Sequence, residues 1–225
     1  MLIEISQIVL AYFWGAVPYA YLIAWHFKGI DIREIGSGNA GTHNVLVNVG
    51  KLPALAQYII DFGLKGVLPV FLAGLLEQSL WVQVGVGLAS ITGHNWSLYM
   101  RFTGGRGVAT ATGVAVGLGM WPEVAVVTTV LVLNAALLKR DTGLAVFWGI
   151  LIFPTLAYLL DRPQQILWLS IGVTMLLICK RLTANWESVP NGSLIAKVLL
   201  RRLLLDRDVL NRKDWITRER SSHDE

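Results

Sequence analysis

Long apolar stretches alternate with short polar connections over the first 180 residues of the chain. A helix needs about 20 apolar residues to cross the hydrocarbon core of a bilayer, and several of these stretches are long enough. The pattern predicts an all-α polytopic membrane protein with about seven transmembrane helices, near Ile5–Trp25, Pro53–Leu76, Leu80–Tyr99, Gly107–Met120, Glu123–Leu138, Gly143–Leu160 and Gln165–Cys179.

The predicted fourth span is shorter than the others and rich in small residues, such as Ala109, Ala111 and Gly113. Small side chains let membrane helices approach one another closely. This span is therefore expected either to pack tightly against its neighbours or to begin inside the membrane.

Basic residues collect on one side of these spans. All but Lys65 and Arg162 of the 19 Lys and Arg residues follow spans one, three and five or lie in the tail from Lys180 onward. Positively charged connections stay in the cytoplasm. The charge pattern therefore predicts an amino terminus outside the cell and a cytoplasmic carboxy terminus.

The last part of the chain has a different composition, which divides the sequence into a transmembrane domain, 1–190, and a cytoplasmic tail, 191–225. The segment from Ser193 to Leu205 reads as an amphipathic helix on the inner membrane surface, with Ser193 as its cap. The remainder, from Asp206 to Glu225, mixes both charge signs. It is expected to be a solvated helix or disordered, and no chemistry is assigned to it.

The first polar connection is unusually rich in glycine and in hydrogen-bonding side chains. Glycines allow backbone N–H groups to converge on an anion, and the polar side chains can contact substrate oxygens. The candidate residues are Gly36, Ser37, Gly38, Asn39 and Asn44. The alternative is a tight, capped turn with a structural role only.

A second glycine-rich connection, with Gly104, Gly105 and Gly107 around Arg106, leads directly into the fourth predicted helix. The amino terminus of a helix attracts anions, and arginine donates two parallel hydrogen bonds to a phosphate. The spacing is not that of a nucleotide-binding P-loop. A phosphate or acyl phosphate site is predicted here, and glycines that only pack helices are the alternative.

Other ionisable residues have two interpretations each. His94 can shuttle a proton or can be a hydrogen-bonded interfacial residue. Asp61 and Lys65, one turn apart within the second span, form either a functional site or a self-neutralising pair. Arg140 and the Lys180–Arg181 pair can contribute to a site or can simply follow the charge bias, and for Lys180 the second interpretation is favoured.

Several classes of function are disfavoured. The chain is 54% apolar and 15% charged, and its net charge of +4 is explained by membrane topology rather than by nucleic-acid binding. Its single cysteine, Cys179, and the absence of any H-x-x-x-H motif or acidic cluster argue against a metal site. No base and acid accompany Ser37, so a covalent intermediate lacks support. No cofactor is predicted.

At these motifs the sequence closely resembles the bacterial acyl-phosphate-dependent glycerol-3-phosphate acyltransferases, the PlsY family, over all seven spans. The matching pieces are Ile35-Gly-Ser-Gly-Asn with Asn44 and Gly50-Lys51, Asp61 with Lys65-Gly66, Gly93-His94, and Gly104-Gly-Arg-Gly-Val-Ala-Thr110. The resemblance implies a seven-helix protein of the bacterial plasma membrane with a cytoplasmic active site.

The resemblance also implies a reaction in which a fatty acyl group moves from acyl phosphate to the first-position hydroxyl of glycerol 3-phosphate. Lysophosphatidic acid and phosphate are the products, membrane lipids are the surroundings, and neither a metal nor a nucleotide is implied. The expected catalytic residues are Ser37, Asn39, His94 and Arg106. The expected substrate-binding residues are Gly36, Gly38, Asn44, Lys65, Gly104, Gly105, Gly107, Arg140, Arg181 and Asn185.

The sequence departs from the family pattern at several positions. Val47 stands where an arginine is usual, His43 where threonine is common, and Gly143 where serine is. The final H-R-x-N pattern is replaced by the segment from Lys180 to Asn185, and the Asp61–Lys65 spacing is one residue longer. Acyl transfer to a different polar acceptor and transport of a small anion are therefore kept as alternatives, and the oligomeric state is left open.

Overall fold

The computed structural model describes residues 2–134, 142–189, 192–211 and 214–215. Among these residues the regular structure is helical apart from isolated bridges, one of which joins Ser97 to Thr103. The α-helices of this part are α1 (Leu2–Ala16), α2 (Tyr19–Lys28), α3 (Thr42–Asn48), α4 (Lys51–Ile59), α5 (Leu68–Leu75), α6 (Leu80–Asn95), α7 (Val108–Gly117), α8 (Trp121–Leu133), α9 (Thr142–Leu159), α10 (Gln164–Thr183) and α11 (Ile195–Leu205). The all-α prediction is confirmed for the described residues.

Each predicted apolar segment contains helix, although residues 135–138 of the fifth lie outside the described residues. Four helical segments are long and apolar enough to cross a bilayer, namely Leu2–Lys28, Lys51–Leu75, Thr142–Leu159 and Gln164–Trp186. Large apolar side chains on their outer surfaces are exposed, such as Leu10 at 65% and Met175 at 61%. Exposure of this kind is expected where lipid, not water, surrounds a protein.

The first predicted span is broken at Pro18. Proline has no backbone N–H and its ring clashes with the preceding helical turn, so α1 ends at Ala16 and α2 begins at Tyr19. α1 packs on α6, whereas α2 packs on α3 and α4. The break therefore lets one apolar segment support two different parts of the molecule.

Glycines bring the central helices into close contact. A Cβ atom added at Gly15 of α1 would collide with the carbonyl oxygen of Ser90, and one added at Gly93 of α6 would collide with that of Tyr12. At Gly113 of α7 it would meet the carbonyl oxygen of Phe62. The tight packing predicted for α7 is thus confirmed, and these contacts fix the end of α6 that carries His94.

An ion pair joins the first turn of α8 to the connection between α9 and α10. The Arg162 guanidinium donates to both carboxylate oxygens of Glu123, Nε to Oε1 at 2.6 Å and Nη2 to Oε2 at 2.9 Å. Glu123 is fully buried and Arg162 is partly exposed. Removing the arginine would leave a buried carboxylate without its partner.

We expect Arg162→Ala to destabilise the protein by about 2 kcal/mol, since an orphaned buried charge keeps its desolvation cost. The thermal midpoint of purified protein in detergent measures this effect. The double variant Glu123→Gln/Arg162→Gln should lose less, because both charges are removed together. An unchanged midpoint for the single variant would contradict this account.

The tail folds back onto the helical bundle. α11 begins at Ile195 with Leu194 as its cap, so the prediction of Ser193 as the cap is wrong. The preceding turn at Gly192, with φ of 76°, moves the helix start downstream.

Arg202 of α11 donates to Asp208 at 2.7 and 2.8 Å and to the Glu187 carbonyl at 2.9 Å. Hydrogen bonding to Asp208 raises the pKa of Arg202, although burial opposes this.

Candidate active site

The two glycine-rich connections meet at one cavity of about 510 Å³. The first turn of α7, the facing sides of α8, α9 and α10 and part of the tail complete its wall. The predicted site residues on this wall are Ser37, Asn39, Asn44, His94, Arg106, Gly107 and Arg181. The remaining predicted site residues that the structure describes are not on the wall, but they lie in the same loops or contact wall residues. They are Gly36, Gly38, Lys65, Gly104, Gly105 and Asn185.

Asn44 organises the first glycine-rich loop from its place in α3. Its Nδ2 donates to the carbonyl oxygens of Ile32 at 2.8 Å and Ile35 at 3.0 Å, and its Oδ1 accepts from the Ser37 backbone at 3.3 Å. The side chain is buried. Asn44 therefore holds the loop that presents Ser37, and its hydrogen-bonding capacity is largely used within the protein.

The second glycine-rich loop is folded tightly over the end of α6. The Gly105 N–H donates to the His94 carbonyl at 3.2 Å, and a Cβ atom added at Gly105 would collide with the His94 ring. Gly107, with φ of 73°, is the N-cap of α7. The first-turn residues Val108 and Ala109 line the cavity, so the amino terminus of this ten-residue helix faces it.

Asn185 ties the two loops to the end of α10. Its Nδ2 lies 3.0 Å from Asn39 Oδ1 and 3.1 Å from the Gly104 carbonyl, and its Oδ1 accepts from the Gly104 N–H at 3.1 Å. It sits in a turn, 184–186, whose three residues all have positive φ. Backbone strain of this kind persists where surrounding contacts enforce it, which is common at functional sites.

Lys180 is fully buried, contrary to the favoured prediction that it only follows the charge bias. Its Nζ donates to the Asn95 carbonyl and, at 2.6 Å, to Asn185 Oδ1, and it lies 5.3 Å from the centre of the Trp96 ring. Lysine is rarely buried so completely unless it is paired. Its contacts show that it supports the loop junction rather than facing the cytosol.

Asp61, Lys65 and His94 form one buried cluster. Asp61 Oδ1 lies 3.3 Å from His94 Nδ1 and 3.5 Å from Lys65 Nζ, and Gln57 donates to Asp61 Oδ2 at 2.8 Å. The Asp61–Lys65 pair is thus extended to His94. Asp61, for which a functional and a self-neutralising role were both open and which is not among the expected catalytic or substrate-binding residues, lines the cavity beside His94.

A π-helical segment, Ile60–Val67, carries Asp61 and Lys65 between α4 and α5. A π-bulge accommodates one extra residue within a helix, and such bulges are frequent at functional sites. Residues four apart lie on one face of a helix, so the Asp61–Lys65 spacing keeps the two side chains in contact.

Arg106 and Arg181 both face the cavity and both have protein partners. Arg106 Nη1 donates to the Lys180 carbonyl at 3.0 Å, and its Nε lies 2.8 Å from Asp206 Oδ1. Arg181 donates to the Leu203 carbonyl at 2.8 Å and to that of Gly143 at 2.9 Å. Arg140 lies outside the described residues. Val47 is exposed on α3 and is not on the cavity wall.

An apolar groove continues from the cavity between α7, α8, α9 and α10. It encloses a further volume of about 80 Å³, and its wall is mostly apolar. Residues such as Val108, Leu131 and Leu177 line both spaces. The cavity that holds the polar candidate residues therefore adjoins an apolar one.

Comparison with known proteins identifies the relatives of this chain. The family model "Glycerol-3-phosphate acyltransferase" matches residues 5–192. "Glycerol-3-phosphate acyltransferase 4" of Dehalococcoides mccartyi is 36% identical over 220 residues, covering 95% of this chain and 93% of the relative. "Glycerol-3-phosphate acyltransferase 5" from another strain is 35% identical and covers 100% of this chain and 97% of the relative.

Solved structures agree with these sequence relatives. The crystal structure of PlsY, an integral membrane glycerol 3-phosphate acyltransferase in its glycerol 3-phosphate form, is 30% identical with a TM-score of 0.71. The match covers 79% of this chain and 88% of that chain. A lysophosphatidic acid form of the same protein matches with a TM-score of 0.70. The resemblance noted in the sequence is confirmed, and the chain belongs to the glycerol-3-phosphate acyltransferase family.

Proposed function

We propose that this protein transfers a fatty acyl group from acyl phosphate to the first-position hydroxyl of glycerol 3-phosphate, forming lysophosphatidic acid and releasing phosphate. Family membership supports the reaction, and the related PlsY has been solved in glycerol 3-phosphate and lysophosphatidic acid forms. The observation that carries the proposal is a cavity where Arg106 and the amino terminus of α7 meet an apolar groove.

Acyl phosphate is already an activated mixed anhydride, so the enzyme has two tasks. It must place the acceptor hydroxyl against the carbonyl carbon, and it must stabilise charge on the carbonyl oxygen and on the departing phosphate. The first-turn N–H groups of α7 and the Arg106 guanidinium are donors suited to the phosphate. Gly104 and Gly105 let this loop lie directly against the end of α6, which places Arg106 beside the amino terminus of α7.

In the proposed reaction the hydroxyl oxygen of glycerol 3-phosphate attacks the acyl carbonyl carbon, and the bond from that carbon to the phosphate oxygen breaks. A substrate phosphate, rather than a side chain, accepts the hydroxyl proton. Ser37 and Asn39, which line the cavity, position substrate oxygens. His94, held by Asp61 and Lys65, fixes the loop at Gly105 and contributes to the polar wall.

The acyl chain is proposed to lie in the apolar groove between α7, α8, α9 and α10. Because the groove is apolar, a chain that moves into it from the bilayer avoids exposing methylene groups to water, which would cost about 0.8 kcal/mol each. The donor can therefore reach the cavity from the bilayer, while the polar acceptor enters from the aqueous side. This arrangement matches one lipid-soluble and one water-soluble substrate.

The proposed setting is a bacterial plasma membrane with seven spans, an outside amino terminus and a cytoplasmic active site. The position of the basic connections supports this topology. The proposed transmembrane domain comprises residues 1–190 and the proposed cytoplasmic tail comprises residues 191–225. Within the tail, α11 lies on the inner surface of the membrane, since its apolar residues Ile195 and Leu200 are exposed. Labelling of single cysteines introduced at the exposed residues Lys28 and Gln164 tests it: the first should react only from the cytoplasmic side and the second only from outside.

The direct test of function uses purified protein with labelled acyl phosphate and glycerol 3-phosphate, with acyl-CoA and acyl carrier protein as competing donors. With glycerol 3-phosphate present, lysophosphatidic acid and free phosphate should form in equal amounts when acyl phosphate is the donor. Acyl-CoA and acyl carrier protein should give no product. Absence of acyl transfer, or equal use of acyl-CoA, would contradict the proposal.

A second candidate is acyl transfer to another polar acceptor. It rests on Val47, which stands where the family resemblance implies an arginine that grips glycerol phosphate. Offering a panel of polyols and polyol phosphates with the same acyl phosphate decides between the two. Preference for an acceptor without phosphate would favour this second candidate.

A further inference from the structure

The tail beyond residue 192 lies outside the part of the chain matched by the family model, yet it contributes to the cavity. Leu205, Asp206, Arg207 and Trp215 all line it. The tail is also anchored to α10, since Arg202 donates to the Leu182 carbonyl and Arg181 donates to the Leu203 carbonyl. The cavity of this protein is therefore partly built by a segment that was expected to be solvated or disordered.

Asp206 makes a direct contact with the proposed phosphate-binding residue. Its two carboxylate oxygens lie 2.8 and 3.0 Å from Arg106 Nε. The Asp206 side chain is 23% exposed and the Arg106 side chain is 15% exposed. The contact joins residues 100 positions apart in sequence. The Asp206 carboxylate thus forms an ion pair with the guanidinium that is proposed to bind the substrate phosphate.

The local structure does not explain why a carboxylate is at this position. Asp206 is the C-cap of α11 and has φ of 58°, a left-handed conformation that asparagine also adopts readily. The carboxy-terminal end of a helix carries partial negative charge, which disfavours an acidic side chain there. The interaction with Arg106 is the compensating contact.

We propose that Asp206 sets the affinity of the active site for phosphate-bearing substrate by competing for Arg106. This inference rests on the proposed function. A phosphate bound to the same guanidinium would lie within a few ångströms of the carboxylate, and like charges at such distances repel. Phosphate binding therefore requires Asp206 to give up its ion pair, which weakens the apparent affinity.

The test compares the wild type with Asp206→Asn, which keeps the left-handed turn and removes the charge. The KM for glycerol 3-phosphate or acyl phosphate should fall about two- to five-fold, the range expected for loss of a partly exposed ion pair. Asp206→Glu should keep the wild-type KM or raise it. Glu34→Gln, which removes one exposed charge from the connection containing the first glycine-rich loop, is the matched control and should change nothing.

Equilibrium binding of inorganic phosphate, measured by calorimetry on the same full-length variants, separates this inference from the proposed reaction. Tighter phosphate binding by Asp206→Asn supports the inference even if the wild type transfers no acyl group, which would contradict only the proposed function. An unchanged or weaker affinity in Asp206→Asn, or an equal shift in Glu34→Gln, overturns it.

Discussion

Replacing Arg106 with alanine is expected to lower kcat/KM for acyl transfer by about 10²- to 10³-fold, the loss typical of removing one donor that stabilises developing charge. Arg106 is the fixed cation on the cavity wall beside the amino terminus of α7. Arg106→Lys should recover part of the activity, because it keeps the charge but not the planar fork of donors. Initial rates with acyl phosphate and glycerol 3-phosphate measure both variants.

The matched control for this experiment is Lys28→Ala. Lys28 is an exposed cation at the end of α2 and is not on the cavity wall. Its loss should leave kcat and KM unchanged, which separates a site effect from a change in net charge. Wild-type activity in Arg106→Ala would remove the basis of the proposed mechanism.

The helical segments were predictable because their cause is local. A bilayer requires runs of apolar residues with internally satisfied hydrogen bonds, so composition alone marks them. The break at Pro18 was missed because an average over an apolar window does not register one proline. The start of α11 was misplaced for a similar reason, since a serine that could cap a helix does not show which residue does.

The part of the candidate site that comes from residues adjacent in the sequence could be predicted. The glycines on either side of Ser37 and Arg106 are the signal from which an anion site was predicted, with a structural role as the alternative, and the structure brings both loops to one cavity. The contacts of Lys180 and Asp206 join residues distant in sequence, and the residues around them look like an ordinary charged tail. Only the tertiary structure shows that Lys180 is buried and that Asp206 contacts Arg106 at the cavity wall.

Gly105 tests the geometry of the loop rather than its charge. An added Cβ atom would overlap His94 Nε2 and would lie 2.9 Å from the Ala40 carbonyl oxygen. Both neighbours are fixed: His94 contacts Asp61, and the Ala40 N–H donates to the Gly104 carbonyl at 3.3 Å. The added methyl must therefore displace the loop from the end of α6.

We expect Gly105→Ala to lower kcat/KM about 100-fold, because a displacement of about 1 Å in a positioning element has an effect of this size. The elution profile and helical content of the purified variant should remain those of the wild type. Gly74→Ala in α5 is the matched control, since its added Cβ atom would be 3.7 Å from Gln83 Oε1, an ordinary contact. Activity within two-fold of wild type in Gly105→Ala, a change of about 0.4 kcal/mol, would mean that the position of the loop against α6 does not determine the rate.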